Sequence, residues 1–458
     1  MMRIMNNRVG ARWNFRVITA RFECRAAPAL RRGGLRAGIG RSLPLAIGLF
    51  LLSVQVNAQQ RMTLDECVDR AVQSNFGIQV AGMQTQQAAN NVTVAPFVPT
   101  LTGTAQQNRT IEEKTADGRA VNTLGAGVSL TWRLFDGLGM FATHNLQREQ
   151  LNVSQLQMRD ELEVLVSDIM KQYYLLISLH NQVSLARELM DLSQLRYKEA
   201  LDKAEIGSAS KLEMRLAKID LNADSSNLIK QEEALRVAYI QMNRMMNSPL
   251  SDRGYVNDTI LLREQLARED LMRWADENNV SVLMARAGVR IADLDYKLAR
   301  AARYPTLDFS AGYNINATDR PNFSGTFSNS NGVNWGFDLG VNIFNGLETN
   351  RKLKNARLDR SISETSLSDT ELAVRSELEQ LYINYLNNLQ LIDFERENAD
   401  VARMNLEAAM LRYKVGDLSG IDFRNIQQQY LEAVDRKIDV IYQAKISEVS
   451  LLTLAGQL

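Results

Sequence analysis

Apolar and polar positions along this chain change period several times, and the changes divide it into elements. From Met140 to Ile206 the chain runs 67 residues without a Gly or Pro. These are the strongest helix breakers, so the run predicts one continuous helix. At about 1.5 Å per residue it is roughly 100 Å long. Leu162, Leu165, Ile169, Leu176, Leu179, Val183, Ala186 and Met190 form an apolar seam along it, interrupted at Gln172, which is a surface for packing against other helices. Leu347 to Val415 repeats the feature over 69 residues. Each run is entered by nearly the same tetrapeptide, Phe135-Asp136-Gly137-Leu138 and Phe344-Asn345-Gly346-Leu347, at an offset of 209 residues that holds to the C-terminus. Tyr173 falls on Tyr382, Gly207 on Gly416, Ser210 on Ser419, Glu213 on Asp422 and Asn247 on Gly456. The chain therefore reads as two copies of one unit, 62–247 and 268–458, with long helices over about 138–206 and 347–415.

Elsewhere the period shortens to two. In 127–135, Val128, Leu130, Trp132 and Leu134 alternate with Ser129, Thr131 and Arg133, predicting a strand with one apolar and one polar face. Its partner over about 98–107 is weaker, and Asn108 to Asn122 reads as a polar loop. Pro305-Thr306-Leu307 matches Pro99-Thr100-Leu101 and opens a strand over about 305–316. Leu307, Phe309, Ala311, Tyr313 and Ile315 share one of its faces. After a loop rich in Asn, Ser and Gly, 334–344 places Trp335, Phe337, Leu339, Val341 and Ile343 on one side. Past Gly207 and Gly416 the chain returns as helices. Each half thus reads helix, hairpin, long helix, tight turn, return helix.

The alternation alone serves equally a soluble antiparallel sheet with one wet face and strands that cross a bilayer. Three features favour the membrane: an export segment, no helix apolar enough to span, and aromatics on the apolar faces. Trp132, Phe309, Tyr313, Trp335, Phe337 and Leu339 are then lipid-facing. An open sheet edge in lipid leaves backbone groups unpaired, so four strands must close with copies of themselves. Two copies give a barrel filled by side chains; three give twelve strands and room for water. Glycines and small polar residues on the inner face favour three. The expected fold is mainly α with a transmembrane β part: a long antiparallel α-helical barrel, plus four strands per chain that complete a 12-stranded barrel in a trimer.

Composition narrows the setting. Ser42 to Ala58 carries no charge and ends in a small-residue cleavage pattern, behind ten Arg and one acid. Residues 1–58 read as a cleaved signal peptide and 59–458 as a single mature domain. The mature chain keeps 43 basic and 52 acidic side chains, a net charge of −9, which argues against nucleic acid as a partner. Cys67 alone remains, so no disulfide framework holds one chain, and neither Cys fits a lipid-attachment site.

These residues resemble the TolC-like outer-membrane efflux proteins. The resemblance covers 62–458 and rests on several features. They are the duplicated helix starts Asn75-Phe76-Gly77-Ile78 and Asn279-Val280-Ser281-Val282, the Pro-Thr-Leu strand entries, the Phe-Asp/Asn-Gly-Leu pair, and Arg412-Tyr413-Lys414-Val415-Gly416 followed by Ser419 and Asp422. It implies a homotrimer in the outer membrane of a Gram-negative bacterium, with an α-helical tunnel extending through the periplasm. A periplasmic adaptor and an inner-membrane pump, of RND or ABC type, dock at the tips for multidrug efflux. It implies that Glu213 and Asp422 ring the periplasmic aperture and that Tyr413 gates it. Gly207, Ser208, Gly416, Asp417 and Leu418 are then adaptor-contacting tips, and Leu418 is expected to be exposed, with no local core to join. Ala204 stands opposite Tyr413, and Leu418 occupies a turn position where some members place a gating Arg.

Duller readings stand beside these. An acid in the first turn of a helix is stabilised by about 0.3–1 kcal/mol without any aperture, and Tyr413 serves equally as a seam residue. His144 and His180 have no second ligand at metal spacing, and no phosphate loop is present. The chain therefore reads as a non-enzymatic conduit with no cofactor. The rival class is a periplasmic coiled-coil tether with soluble sheets. Within the family the rival is an exit duct for type I protein secretion, since the pump sets the cargo.

Overall fold

The computed structural model describes residues 61–112, 119–207, 210–252, 254–256, 259–263, 266–319 and 327–458. The expected signal peptide, 1–58, and the expected tip residue Ser208 lie outside them. In chain order the elements are β1 (Arg61–Met62), α1 (Leu64–Ser74), α2 (Phe76–Asn91), β2 (Thr100–Glu112), β3 (Arg119–Phe135), α3 (Gly139–Glu205) and α4 (Lys211–Met245). There follow β4 (Tyr255–Val256), α5 (Arg268–Asn278), α6 (Val280–Ala301), β5 (Thr306–Asp319), β6 (Phe327–Gly340), α7 (Glu348–Val415) and α8 (Gly420–Leu454).

Absence of breakers lets α3 and α7 run unbroken, and glycine ends them. Gly207 and Gly416 take φ of 74° and 83°, a conformation open to Gly without a Cβ penalty. After α7 the Asp417 amide donates to Arg412 O at 2.9 Å, closing the helix end. Serines start the return helices: Ser210 accepts from the Leu212 amide and Ser419 from the Asp422 amide, both at 3.1 Å. No described helix is long and apolar enough to cross a membrane.

The two halves repeat down to single hydrogen bonds. Tyr173 OH donates to Met62 O, and Tyr382 OH donates to Leu266 O, each at 3.3 Å. Asn75 Nδ2 donates to Met245 O at 3.0 Å, and Asn279 Nδ2 to Leu454 O at 2.9 Å. Each half has a core where its long helix meets its return helix and its short first helix. Cys67, Ile169, Leu176 and Met242 lie in the first; Leu271, Leu378, Tyr385 and Leu451 lie in the second. A third cluster, Leu185, Leu189, Leu406, Ala409, Tyr413, Phe423 and Tyr430, joins α3 to α7 and α8 toward the turns.

The strands form one antiparallel sheet in the order β2-β3-β5-β6. Facing residues in an antiparallel ladder share a face. The register aligns Trp132, Phe309 and Phe337, then Leu130, Ala311 and Trp335, then Val128, Tyr313 and Val333. Between these rows stand Thr131, Ser310 and Gly336, then Ser129, Gly312 and Asn334. One face is therefore apolar and the other polar across the second, third and fourth strands. Trp335, Phe337 and Leu339 are 69, 61 and 68% exposed, and among the described residues no α-helix packs substantially against the sheet, while the short 3-10 turn Ala95–Phe97 touches β3.

The strands differ from the sequence boundaries at their ends. The expected loop at 108–122 is partly strand: Asn108 to Glu112 pair with Thr123 to Arg119. Backbone hydrogen bonds ignore side-chain polarity, so the ladder continues after the apolar alternation fades. At the other end the expected strand 334–344 stops at Gly340, which pairs with Thr306, the first residue of β5. Val341 to Phe344 therefore have no partner strand among the described residues.

Two corners join sheet to helix. Gly137 and Leu138 both have φ of 71°, and Gly346 and Leu347 both 66°. A leucine in this left-handed region costs roughly 1–2 kcal/mol. Leu138, Leu347 and Asn247 are the non-glycine residues with positive φ among the described residues.

Candidate functional site at the helix turns

Toward the turns the α7–α8 hairpin lies against α3, and the expected site residues separate into different environments. Tyr413, in the last turn of α7, is buried at 2% exposure. Its ring stacks on Phe423 of α8 with centroids 5.2 Å apart. The Lys203 ammonium sits 4.9 Å from the ring centroid. Its Nζ also donates to Tyr413 O at 3.4 Å, tying α3 to the end of α7. Burial pushes the Tyr413 phenol pKa up, and the nearby Glu213 carboxylate adds to the shift. Glu213 is half-buried and lies across the start of α8, where a Cβ on Gly420 would stand 3.1 Å from its Oε1. The fold thus brings Glu213, Tyr413 and the α8 N-terminus together.

Asp422 is exposed. Its amide donates to Ser419 Oγ, and that hydroxyl donates back to Asp422 Oδ2 at 2.7 Å. Asp417 is exposed and held by Arg412, whose Nε donates to its Oδ2 at 2.8 Å. Leu418 departs from expectation. It is not a bare tip residue: it is half-buried and packs on the cluster around Tyr413 and Phe423. The hairpin core extends to the last turn of α7 and the first of α8, so a local core exists for Leu418 to join. The exposed apolar side chains at the turns are Ile206, Leu212, Val415 and Ile421. They fall into pairs at the repeat offset, Ile206 with Val415 and Leu212 with Ile421.

The sequence reading missed a polar network just inside the turns. Arg424 of α8 grips Asp224 of α4 with both terminal nitrogens, at 2.7 and 2.9 Å. Its Nε lies 3.8 Å from Asp220. Arg196 of α3, 5% exposed, pairs with Asp220. The Ser193 hydroxyl donates to Asp224, and Gln427 Nε2 donates to Ser193 Oγ at 2.9 Å. Five side chains thus join the first repeat's hairpin to α8 of the second, with Ser193 completing the chain. Four buried atoms here have no protein partner among the described residues: Arg196 Nη1, Glu199 Oε2, Tyr413 OH and Gln427 Oε1. A detectable signal existed. Leu189, Ser193, Arg196 and Ala200 continue the buried 4-3-4 seam of α3, so polar residues at seam positions mark the network.

His144 Nδ1 lies 3.2 Å from Thr93 O, where α3 passes the end of α2. Among the described residues no His, Cys, Asp and Glu group could hold a metal ion.

The family model described as "Outer membrane efflux protein" matches residues 67–248 and 271–457. The probable outer membrane lipoprotein SilC of Salmonella typhimurium is 21% identical, covering 85% of this chain and 84% of its own. Outer membrane protein TolC of Escherichia coli K12 is 19% identical, covering 91% and 86%. Among solved structures, the CmeC outer membrane channel of Campylobacter jejuni superposes with a TM-score of 0.73. It is 15% identical and covers 86% of this chain and 85% of its own.

Proposed function

The chain belongs to the outer membrane efflux protein family, a family of non-enzymatic transport ducts, and on that premise we propose that three copies close into the exit duct of a tripartite efflux system. The observation that carries this is an interface made once inside the chain and left unmade once. Sheet and helices of the first repeat meet the second: β3 pairs with β5, and α3 packs on α6. The reciprocal contacts are open. β2 and β6 are the free edges of the sheet, and α7 has no comparable packing on α2. Phe76 and Met83 of α2 are 65 and 61% exposed, whereas their counterparts on α6, Val280 and Ala287, are 3 and 0% exposed. A surface that fits its own chain head to tail is satisfied by a ring of copies. Three copies bring twelve strands, enough for a water-filled lumen lined by the polar face and an apolar face turned to lipid.

At the other end the polar network is the restraint that holds the α7–α8 hairpin on α3 and α4, with Glu213 and Tyr413 beside it. The aperture opens when the hairpins part. Asp422 and Glu213 supply negative potential there, which favours cations. The adaptor docks on the turns, where Gly207 and Gly416 set the bend, Asp417 is exposed, and Ile206 and Val415 project; an inner-membrane pump supplies the cargo and the energy.

The test is imaging of the full mature protein extracted from outer membranes in mild detergent. The expected particle is a threefold tube with a detergent belt around one end. Single chains, or a rod with no belt, would overturn the reading in favour of a periplasmic tether.

A further inference from the structure

Both strand-to-helix corners place a leucine where glycine is the comfortable residue. At each the preceding residue is a glycine, also left-handed. Leu138 and Leu347 point their side chains outward, 61 and 63% exposed. Strained backbone persists where something outside the local geometry favours the side chain, and here it does so twice at equivalent positions.

The first corner shows what ring closure does to such a leucine. It is already covered by the second repeat, because a Cβ on Gly137 would stand 2.5 Å from Ala301 O and 2.7 Å from Tyr304 Cβ at the end of α6. The second corner is bare, with nothing within 4 Å of the corresponding position on Gly346. Phe135 is half-buried while its counterpart Phe344 is 78% exposed. Phe344 is therefore a residue that the next copy covers. Leu138 is not: it stays open although its corner is packed, so Leu347 stays open too. A neighbouring copy does not explain either leucine.

In the chain Leu138 lies between Trp132 of the sheet's apolar face and Phe141 in the first turn of α3. Trp132 lies on that face, and its indole N–H donates to Phe97 O at 3.0 Å. Phe97 meets Phe141 at 5.2 Å, and Phe141 is 53% exposed. Aromatic rings with a satisfied polar edge, beside exposed aliphatic side chains, match the boundary between acyl chains and headgroups. We infer that Leu138 and Leu347 are a paired lipid anchor, seating the helix-side edge of the sheet in the bilayer leaflet nearest the helices. The anchor rests on the proposed reading that the apolar face of the sheet meets lipid.

The experiment uses the mature chain, 59–458, which lacks Cys24, in phosphatidylcholine vesicles, with a bimane fluorophore at Leu138→Cys, Leu347→Cys or, as a reference on the sheet, Trp335→Cys. Cys67 is buried and its thiol pKa is pushed up to about 12 by burial, so it stays unlabelled. The expected result is loss of most emission at both corners with lipid brominated near the carbonyl end of the acyl chain. Lipid brominated near the chain terminus should quench less, and aqueous iodide little. Quenching by iodide and not by lipid would put the leucines in water and overturn the anchor; protection from both would assign them to a protein contact and also overturn it. If Trp335→Cys is quenched by lipid while the corners are not, the anchor alone fails. If Trp335→Cys also escapes lipid, the membrane reading of the sheet fails with it.

Discussion

The two repeats have nearly the same fold and opposite surroundings. The helix that precedes the second hairpin, α6, is sandwiched between α3 and α7, while its counterpart α2 packs on only one of the two long helices, α3. Equivalent positions therefore do different work: Val280 and Ala287 are core, and Phe76 and Met83 are bare. An internal repeat thus turns one chain into evidence about its neighbours, because each contact made between repeats predicts one that a copy must complete. The largest effects should come from attacking that asymmetry. Ala287→Asp buries a carboxylate among apolar side chains, and the cost, of the order of 3–5 kcal/mol, should appear as a lower melting temperature or as insoluble protein. Phe76→Asp with Met83→Asp should leave the single chain folded and abolish the ring, read as mass by light scattering in detergent. Rings of normal mass and stability from the double variant would remove the case for head-to-tail closure through α2.

A second contrast lies near the turns. Arg424 and Arg215 occupy the same position, eight residues past the turn glycines. Arg215 is exposed, whereas Arg424 is half-buried on Asp224 and Asp220. Arg424→Ala leaves two acids facing Arg196 alone. Breaking such a pair costs about 3–5 kcal/mol, here mostly as loosening of the α8 hairpin rather than global unfolding. The expected outcome is a larger, more frequent open conductance in planar bilayers, with Arg215→Ala indistinguishable from wild type, since exposed substitutions usually stay within about 0.5 kcal/mol. Equal conductance in all three proteins would take the network out of the gate.

What was legible in the sequence was what is local. Gly207 and Gly416 mark the ends of the long helices without reference to the rest of the fold, and period-two alternation names a strand without knowledge of its neighbours. The offset of 209 carried the duplication. Illegible features needed a partner. Whether Arg196 is a buried network member or a solvated side chain depends on which acids α4 brings opposite it. Leu418 looked bare because four turn residues show no core; its core comes from Tyr413, Phe423 and α3. The outer strand ends were hidden because a backbone ladder leaves no trace in side-chain polarity. The Arg61–Met62 and Tyr255–Val256 pair is too short to carry any period.

The acids at the turns give a smaller effect and a cleaner choice between two readings. As helix N-terminal residues alone, Glu213 and Asp422 each contribute about 0.3–1 kcal/mol, so Glu213→Ala with Asp422→Ala would only lower the melting temperature. As an aperture ring they also set the potential at the constriction, and the same variant should shift the reversal potential in a salt gradient toward zero cation preference. Unchanged selectivity would return both residues to the first role.

A last contrast separates the two cores. Cys67 in α1 corresponds, at the offset of the Asn75 and Asn279 caps, to Leu271 in α5, and the two are 1 and 0% exposed. A thiol can ionise and a leucine cannot. Burial raises the Cys67 pKa from 9.0 to about 12, against a small opposing pull from Arg70. The folded state therefore favours the neutral thiol. That contribution is fully present below pH 9.0 and is lost as pH rises toward about 12, by roughly 1.4 kcal/mol per pH unit within that window. Other groups titrate there too, so the informative quantity is a difference. The stability of Cys67→Ala relative to wild type, from urea midpoints, should be unfavourable and flat below pH 8 and should move in the variant's favour between about pH 9 and 10.5. A difference that stays flat through that range, or rapid alkylation of the folded protein near pH 8, would mean that the first core admits water where the second does not.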